Sequence, residues 1–263
     1  MLNVLIRGGG DLATGVAVRL HRCGFGVTIT ELEKPLSVRR KVSFSEAIYE
    51  GKVNVEGIDG VCVNEPIEAL QAMAFHSIPV FVDPEFSLSS LQEYSVLIDA
   101  RLMKEKISPR WMNHKFAIGL GPGFTAGENC DAAVETERGH TLGRVIWVGS
   151  TNADTGLPEG DPRRVFRAPC DGVVRVIKDI GEHVEEGELM AAIADTNVNA
   201  PLRGVLRGMI RNGVFVKKGV KLGDVDPRDN PAFCYQVSDK AFSVAGGVLE
   251  AILVHLDRTN NAG

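Results

Sequence analysis

Short apolar runs alternate with helical segments along the first half of the chain. Leu2–Ile6 leads into a glycine triplet, and apolar residues recur at helical spacing from Leu12 to Arg22. Val27–Thr30 is β-branched and predicts a second strand, and Pro66–Phe75 predicts a second helix. Further strands are predicted at Val53–Ile58, Gly60–Val63, Ile78–Val82, Val96–Ile98 and Phe116–Ile118. This alternation favours an α/β fold, with a Rossmann-like, mainly parallel sheet domain at residues 1–150.

The second half of the chain contains a repeat. Residues 168–194 return as residues 200–226 without an insertion, and each copy reads as short strands separated by glycine turns. A half this small cannot bury its own apolar face, so we expect the copies to close on each other. The pattern resembles lipoyl and biotinyl carrier domains, which carry a modified lysine on the hairpin between the halves. That hairpin is Ala194–Asn197 here and has no lysine. The resemblance implies a small all-β barrel-sandwich module at residues 163–230, without the arm.

Two segments frame this repeat. Glycine and proline accumulate over Gly149–Pro162, which is the predicted linker. Ser238 to Leu256 has amphipathic spacing and predicts a C-terminal helix within residues 236–258, packing back on the body, although Gly246 and Gly247 interrupt it.

Composition narrows the classes of partner. A net charge of −5 over 263 residues argues against a nucleic-acid or anionic-membrane partner, and no apolar run is long enough for a spanning helix. The N-terminus has no signal-peptide layout. The five cysteines are scattered without a C-x-x-C pair, so neither a disulfide scaffold nor a structural metal site is expected. A cytoplasmic protein is predicted.

The first glycine motif predicts a nucleotide site. Gly8, Gly9 and Gly10 lie between a strand and a helix, where backbone N–H groups can approach a phosphate. Glu31 follows at the spacing of an acid that binds a ribose hydroxyl, whereas Asp11 places an anion beside the phosphate. The alternative interpretation is a turn that is merely tight. The nucleotide stays open, because Arg39 and Arg40 could reach a 2′-phosphate that Glu31 would repel.

Two further acids follow predicted strands. Asp83 and Asp99 come at carboxyl ends, where α/β sheets bind ligands. Each could equally cap the turn that follows it. Together with the glycine turn they indicate a site.

A second glycine-rich loop, Gly119–Gly127, holds four glycines and one proline, so its backbone is expected to be shaped around a ligand, with Gly121 and Gly123 at the site. Glu135, Arg138 and His140 follow it and form the candidate catalytic set, able to bind an oxyanion or move a proton. The alternative is a polar hairpin with surface ion pairs.

These motifs together resemble one family, the accessory proteins of selenium-dependent molybdenum hydroxylases, and more distantly the accessory factors of xanthine dehydrogenase. The matching segments are Arg7–Gly15, Glu31–Pro35, Val38–Arg40, Val42–Phe44, Gly119–Gly127, Glu135–Arg144, Gly223–Arg228 and Ser238–Ala241. The resemblance implies maturation of a molybdenum hydroxylase, with its apo-enzyme as partner and a molybdopterin-type cofactor as ligand. Homo-oligomerisation is a further expectation. Two alternatives stay open: an NAD(P)-dependent oxidoreductase and a non-catalytic docking protein.

Overall fold

The computed structural model describes residues 2–91, 93–103, 115–154 and 160–261. A nine-stranded sheet runs through the first part of the chain in the order β10-β9-β7-β6-β1-β2-β5-β4-β3, and β8 pairs with β11 beside it. The strands are β1 (Asn3–Arg7), β2 (Gly26–Glu31), β3 (Lys52–Val55), β4 (Ile58–Val63), β5 (Ile78–Val82), β6 (Val96–Asp99), β7 (Phe116–Leu120), β8 (Thr125–Ala126), β9 (Ala132–Val134), β10 (Val145–Ile146) and β11 (Gly149–Ser150).

The middle of this sheet is parallel and buried. β1 pairs with β2 on one side and β6 on the other, and its central residues are fully buried because both faces of the sheet are covered. The register aligns Arg7 with Thr30 and with Asp99. The carboxyl ends of β1, β2 and β6 therefore meet at one edge, which brings the glycine triplet close to Glu31.

One predicted strand is wrong in its bounds. Val53–Ile58 is interrupted by a turn at Glu56 and Gly57, whose φ angles of 49° and 85° are both positive. Two positive φ angles form the tight turn that suits a two-residue hairpin, so β3 and β4 pair antiparallel across it.

The helices are α1 (Asp11–Arg22), α2 (Ala47–Glu50), α3 (Pro66–Ala74) and α4 (Asp239–Asn261). The C-terminal helix predicted from Ser238 is thus present. α4 lies beside α1 in the core of the large sheet. A Cβ at Gly15 would lie 2.6 Å from that of Ala241, so small residues permit this close approach. Gly247 likewise packs against the carbonyl of Gly143.

The repeat forms two four-stranded sheets, in the orders β12-β19-β17-β14 and β16-β15-β13-β18. Gly172 pairs with Val216, and the equivalent Gly204 pairs with Val184. Each copy therefore supplies a strand to the other, and their apolar faces share one core. The strands are β12 (Val165–Arg167), β13 (Gly172–Val176), β14 (His183–Val184), β15 (Leu189–Ile193), β16 (Thr196–Asn199), β17 (Gly204–Met209), β18 (Phe215–Val216) and β19 (Lys221–Asp226).

The predicted fold class is wrong in its Rossmann-like, mainly parallel domain followed by a barrel-sandwich module, whereas its C-terminal helix is present. The large sheet is mixed, because β3 and β10 run antiparallel at its two edges. Its order also departs from the Rossmann order, in which successive strands are added outward from β1. Here β5 lies beside β2, and β4 is displaced outward with its hairpin partner. The C-terminal helix belongs to the core of the large sheet.

The repeat contacts the large sheet through the segment before α2. The carbonyl of Val38 accepts a hydrogen bond from the Met209 backbone at 2.8 Å, and Arg40 Nε donates to the Met209 carbonyl at 2.8 Å. Arg40 also forms ion pairs with Glu46 and Asp179. This arginine is engaged in the contact and is withdrawn from the predicted 2′-phosphate role. Of the predicted linker, residues 155–159 lie outside the described residues. Within the described part of the chain, no helix combines the length and the apolar character that crossing a membrane requires.

Candidate functional site

Two cavities lie beside the first turn of α1, and Asp11 lines both of them. The first, which we call the glycine-turn cavity, has a volume of about 490 Å³. Its polar lining includes Arg7, Gly8, Gly10, Asp11, Glu31 and Arg101. The second, which we call the charged cleft, has a volume of about 540 Å³ and lies between the large sheet, the repeat and the start of α4. Its cationic lining consists of Arg39, Arg138, Arg164, Arg207, Lys221 and Lys240.

The glycine turn is held by backbone contacts. Gly8 has a φ of +96° and donates its N–H to the Thr30 carbonyl at 2.8 Å. A Cβ at Gly9 would lie 2.9 Å from the Ser45 nitrogen, so only glycine fits there. Gly10 is the N-cap of α1, with a φ of −68° and no side-chain cap. Within the described residues, the first N–H groups of α1 are therefore left to solvent or to a ligand.

Glu31 closes the turn from the end of β2. Its Oε2 accepts the N–H of Gly9 at 2.7 Å, and its Oε1 accepts the N–H of Leu32 at 2.7 Å. Burial raises the pKa of this carboxyl, against the two backbone hydrogen bonds. Because Glu31 takes the Gly9 N–H, a phosphate at this turn would meet the first turn of α1 instead. The hydroxyl of Thr30, also in this cavity, is buried without a hydrogen-bond partner among the described residues.

Two arginines add positive charge to the glycine-turn cavity. Arg7 ends β1 and donates to the Pro84 carbonyl at 2.8 Å. Its pKa is lowered by burial and by the nearby charge of Arg101. Two cations that repel each other beside an uncapped helix N-terminus form an environment suited to an anion.

The two acids at strand ends make structural contacts, and Asp83 also lines the glycine-turn cavity. Asp83 accepts the N–H groups of Ser87 at 2.9 Å and Leu88 at 3.0 Å, so it caps the short helical turn that follows. Asp99 is fully buried and binds Arg101 through Nε at 2.9 Å and Nη2 at 2.6 Å. Asp99 thereby positions Arg101, which does reach the cavity.

The second glycine-rich loop is packed rather than open. Gly121 has a φ of +72° and lies against Thr136, and the carbonyl of Gly123 accepts a hydrogen bond from Asn129 at 3.0 Å. Phe124 is fully buried beneath the loop. Of its central residues, Pro122 lines the charged cleft, whereas Gly121 and Gly123 are not part of its lining.

Two of the three catalytic candidates, Glu135 and Arg138, line the charged cleft, and the third does not. Glu135 is buried and accepts backbone N–H groups from Thr136, Glu137 and Asn152, each at 2.7 Å. Arg138 binds both oxygens of Asp239, at 2.7 and 2.8 Å. His140 is exposed and lies outside both cavities. Glu135 therefore shapes the loop, Arg138 joins it to α4, and His140 has no place in the site.

Sequence reasoning missed the repeat's contribution to the charged cleft. Arg207 lies inside β17, and Arg164 lies just before β12. Neither residue belongs to a local motif, and the cleft exists only because the repeat docks beside α1. Among the described residues, no group of three histidine, cysteine, aspartate or glutamate side chains could hold a metal ion.

The chain is similar to the uncharacterized protein YqeB of Escherichia coli. The two are 42% identical over 255 residues, which is 95% of this chain and 47% of that protein. The chain thus spans about half the length of the curated relative it matches. No protein-family model matches the chain.

Solved structures with broad coverage resemble the chain at low identity. The ectoine utilization protein EutE of Ruegeria pomeroyi is 12% identical, with a TM-score of 0.27 over 85% of this chain and 84% of that one. An aspartoacylase family protein of Mesorhizobium loti is 10% identical, with a TM-score of 0.27 over 85% and 84% of the two chains. A succinylglutamate desuccinylase from Silicibacter is 14% identical, with a TM-score of 0.25 over 86% and 85%. At these TM-scores the resemblances support no statement about fold or function.

Proposed function

We propose that the protein binds a nucleotide, or the nucleotide-bearing form of a molybdenum–pterin cofactor, in the glycine-turn cavity. In this proposal it serves as an accessory protein in the maturation of a selenium-dependent molybdenum hydroxylase. The observation that carries the binding step is the convergence of the uncapped start of α1, Arg7, Arg101 and Glu31 on one cavity.

The phosphate and the ribose of a nucleotide each have partners in this cavity. A phosphate would accept hydrogen bonds from the first N–H groups of α1 and would be attracted by Arg7 and Arg101. A ribose hydroxyl would donate to Glu31, whose oxygens keep free lone pairs beside the N–H groups they already accept. The orphaned hydroxyl of Thr30 offers one more polar contact. A volume of about 490 Å³ lies within the usual range for small-ligand sites.

Asp11, at the first position of α1, opposes a phosphate there, and its charge is partly offset. Its carboxylate lies 3.8 Å from Arg39 Nη1, on the side of the charged cleft. Asp83 also lines this cavity, where its oxygens accept the N–H groups of Ser87 and Leu88. The residues present therefore fit the phosphate and ribose of a nucleotide.

In this proposal the protein holds and delivers the bound cofactor rather than catalysing a reaction. Glu135 and Arg138 are engaged in structural hydrogen bonds, and His140 is remote from both cavities. This arrangement favours the accessory proposal over an oxidoreductase. The resemblance of the glycine motifs to hydroxylase accessory proteins supports the choice of the molybdenum–pterin pathway.

A ligand panel tests this proposal. Purified protein is heated with NAD, NADP, FAD, GTP, CTP or molybdopterin dinucleotides, and melting temperatures are compared. A ligand at a hundred times its Kd stabilises by about 2.7 kcal/mol, which raises the melting temperature by roughly 5 °C for a chain of this size. The proposal expects the largest rise with a molybdopterin dinucleotide.

The matched variants are Glu31→Gln, which lines the cavity, and His140→Gln, which does not. The first should lose the shift and the second should keep it. A shift with NAD alone, followed by turnover with a redox dye, would contradict the accessory role. The absence of any shift would favour a docking protein whose glycine turn is only architecture.

A further inference from the structure

The charged cleft contains two arginines whose N–H donors are only partly used by hydrogen bonds within the protein. Arg39 and Arg207 are each more than nine-tenths buried and line the cleft. Among the described residues, Arg39 donates one long hydrogen bond, from Nη2 to the Phe233 carbonyl at 3.5 Å. Arg207 donates one, from Nη1 to Asp226 at 3.2 Å. A guanidinium has five N–H donors, and the Nε of each arginine is buried without a partner.

These two cations also act on each other. The pKa of Arg207 is lowered by burial and then by the charge of Arg39. The nearest acid to Arg39 is Asp11, at 3.8 Å, which is outside hydrogen-bond distance. Unsatisfied buried donors and like charges both raise the free energy of the folded state. Such a pair is retained in a cleft when a ligand supplies the missing acceptors.

Two helices direct their N-termini at the same cleft. Asp11 opens α1, and Ser238 and Lys240 stand at the start of α4; all three line the cleft. The close contact between Gly15 and Ala241 holds the helices side by side. Their partial positive charges therefore add to those of the arginines.

Within the described part of the chain, five carboxylates line the cleft beside its six cations: Asp11, Glu135, Glu137, Asp154 and Asp224. Arg164 pairs with Asp224 at 3.2 Å, and Arg138 pairs with Asp239. Arg207 also pairs with Asp226 at 3.2 Å. Asp224 keeps one buried oxygen without a partner, which can accept a hydrogen bond from a ligand hydroxyl. Glu135 accepts hydrogen bonds from three backbone N–H groups.

We infer that the charged cleft binds a phosphate group between Arg39 and Arg207. The planar forks of two arginines supply paired donors to a tetrahedral oxyanion, and the helix N-termini face the same space. The phosphate has two sources that share this chemistry: a free phosphate, or a phosphate of the nucleotide that lies in the glycine-turn cavity and reaches past Asp11. The free-phosphate case is independent of the proposed function, whereas the nucleotide case rests on it.

Inorganic phosphate is the probe, titrated by calorimetry into the full-length protein in a phosphate-free buffer. The variants are Arg39→Met and Arg207→Met. Each should weaken phosphate binding by on the order of tenfold or more, as expected when charge-assisted hydrogen bonds are lost. Arg175→Met is the matched control, since Arg175 is an exposed arginine of the repeat outside both cavities.

The melting temperature without phosphate gives a second readout. Arg39→Met removes an unsatisfied buried cation, so the variant should melt no lower than the natural protein. If Arg39 had a structural role instead, its replacement would lower the melting temperature. If Arg39→Met fails to fold, Arg39→Lys serves instead: it keeps the charge, loses the planar fork and should still weaken binding.

A repeat titration with CTP present separates the two sources. Competition between CTP and phosphate identifies the phosphate as part of a nucleotide, and independent binding identifies a free phosphate; both results support the site. Phosphate affinity that is unchanged in both arginine variants, or no binding by the natural protein at millimolar phosphate, overturns the inference. Glu31→Gln, at a residue that lines the glycine-turn cavity and not the charged cleft, shows whether the proposed function fails with it.

Discussion

Gly10→Asp should make the protein more stable and weaken its nucleotide binding. Gly10 is the N-cap of α1, with φ −68° and ψ −177°, a conformation that aspartate adopts without strain. A Cβ there would find only Ser37 Oγ, at 3.8 Å. The new carboxylate has room to accept the free N–H groups of the first turn, and it would stand where a bound phosphate has to lie.

The magnitudes follow from that geometry. Aspartate in place of glycine as N-cap contributes about 0.3 kcal/mol, and an anion at the helix N-terminus adds about 0.5 kcal/mol. The melting temperature should therefore rise by about 2 °C. A phosphate that loses two charge-assisted hydrogen bonds of about 1.5 kcal/mol each is bound about a hundredfold more weakly.

Calorimetric titration of the tightest nucleotide, together with a melting curve, measures both effects. Gly10→Asn is the matched control, because asparagine caps the helix equally well but brings no charge, so its affinity should fall less. Nucleotide affinity that is unchanged in the aspartate variant would refute the placement of the phosphate at α1.

Three smaller predictions test the rest of the account. Burial opposes ionisation of Asp226, but hydrogen bonds and charge from two arginines outweigh it and lower its pKa to about 2. A depressed carboxyl pKa stabilises the fold above pH 3.8 and loses that effect as the pH falls towards 2. Asp226→Asn should therefore lower the free energy of unfolding, measured in urea, by about 2 kcal/mol at neutral pH and should not lower it near pH 2. An equal loss at both pH values would argue against this. Gly246→Ala should stabilise α4 by about 0.8 kcal/mol, because a Cβ at this position has free space. Gly247→Ala should lower the melting temperature, because its Cβ would clash with the Gly143 carbonyl. Similar shifts in the melting temperatures of both variants would be inconsistent with this packing. His140→Gln should change neither stability nor binding of nucleotide or phosphate, since the side chain is exposed outside both cavities. Loss of nucleotide or phosphate binding in this variant would show that His140 belongs to a binding site.

The local elements were predictable because each rests on a short-range pattern. β1, α1 and the glycine turn between them follow from an apolar run, helical spacing and three glycines. The β3–β4 hairpin was missed because β-branched residues stand on both sides of Glu56 and Gly57, and the hydrophobic pattern does not reveal a turn made by backbone torsions. Strand order was likewise out of reach, since nothing local places β5 between β2 and β4.

The site was predicted in part, and the division has a physical cause. Gly10, Asp11 and Glu31 do line one cavity, since they follow neighbouring parallel strands. Asp83 is a cap and Asp99 is an ion-pair partner, and a strand-end acid looks the same in sequence whichever role it takes. The charged cleft depends on tertiary contacts between distant segments.

The central claim is that the glycine-turn cavity holds a nucleotide. Native mass spectrometry of the intact protein, purified under mild conditions, tests it most directly. The account predicts a non-covalent adduct with the mass of a nucleotide or a pterin dinucleotide, released on denaturation and missing from the Gly10→Asp variant. An adduct retained equally by that variant, or a bare chain that takes up none of the offered nucleotides, would contradict it.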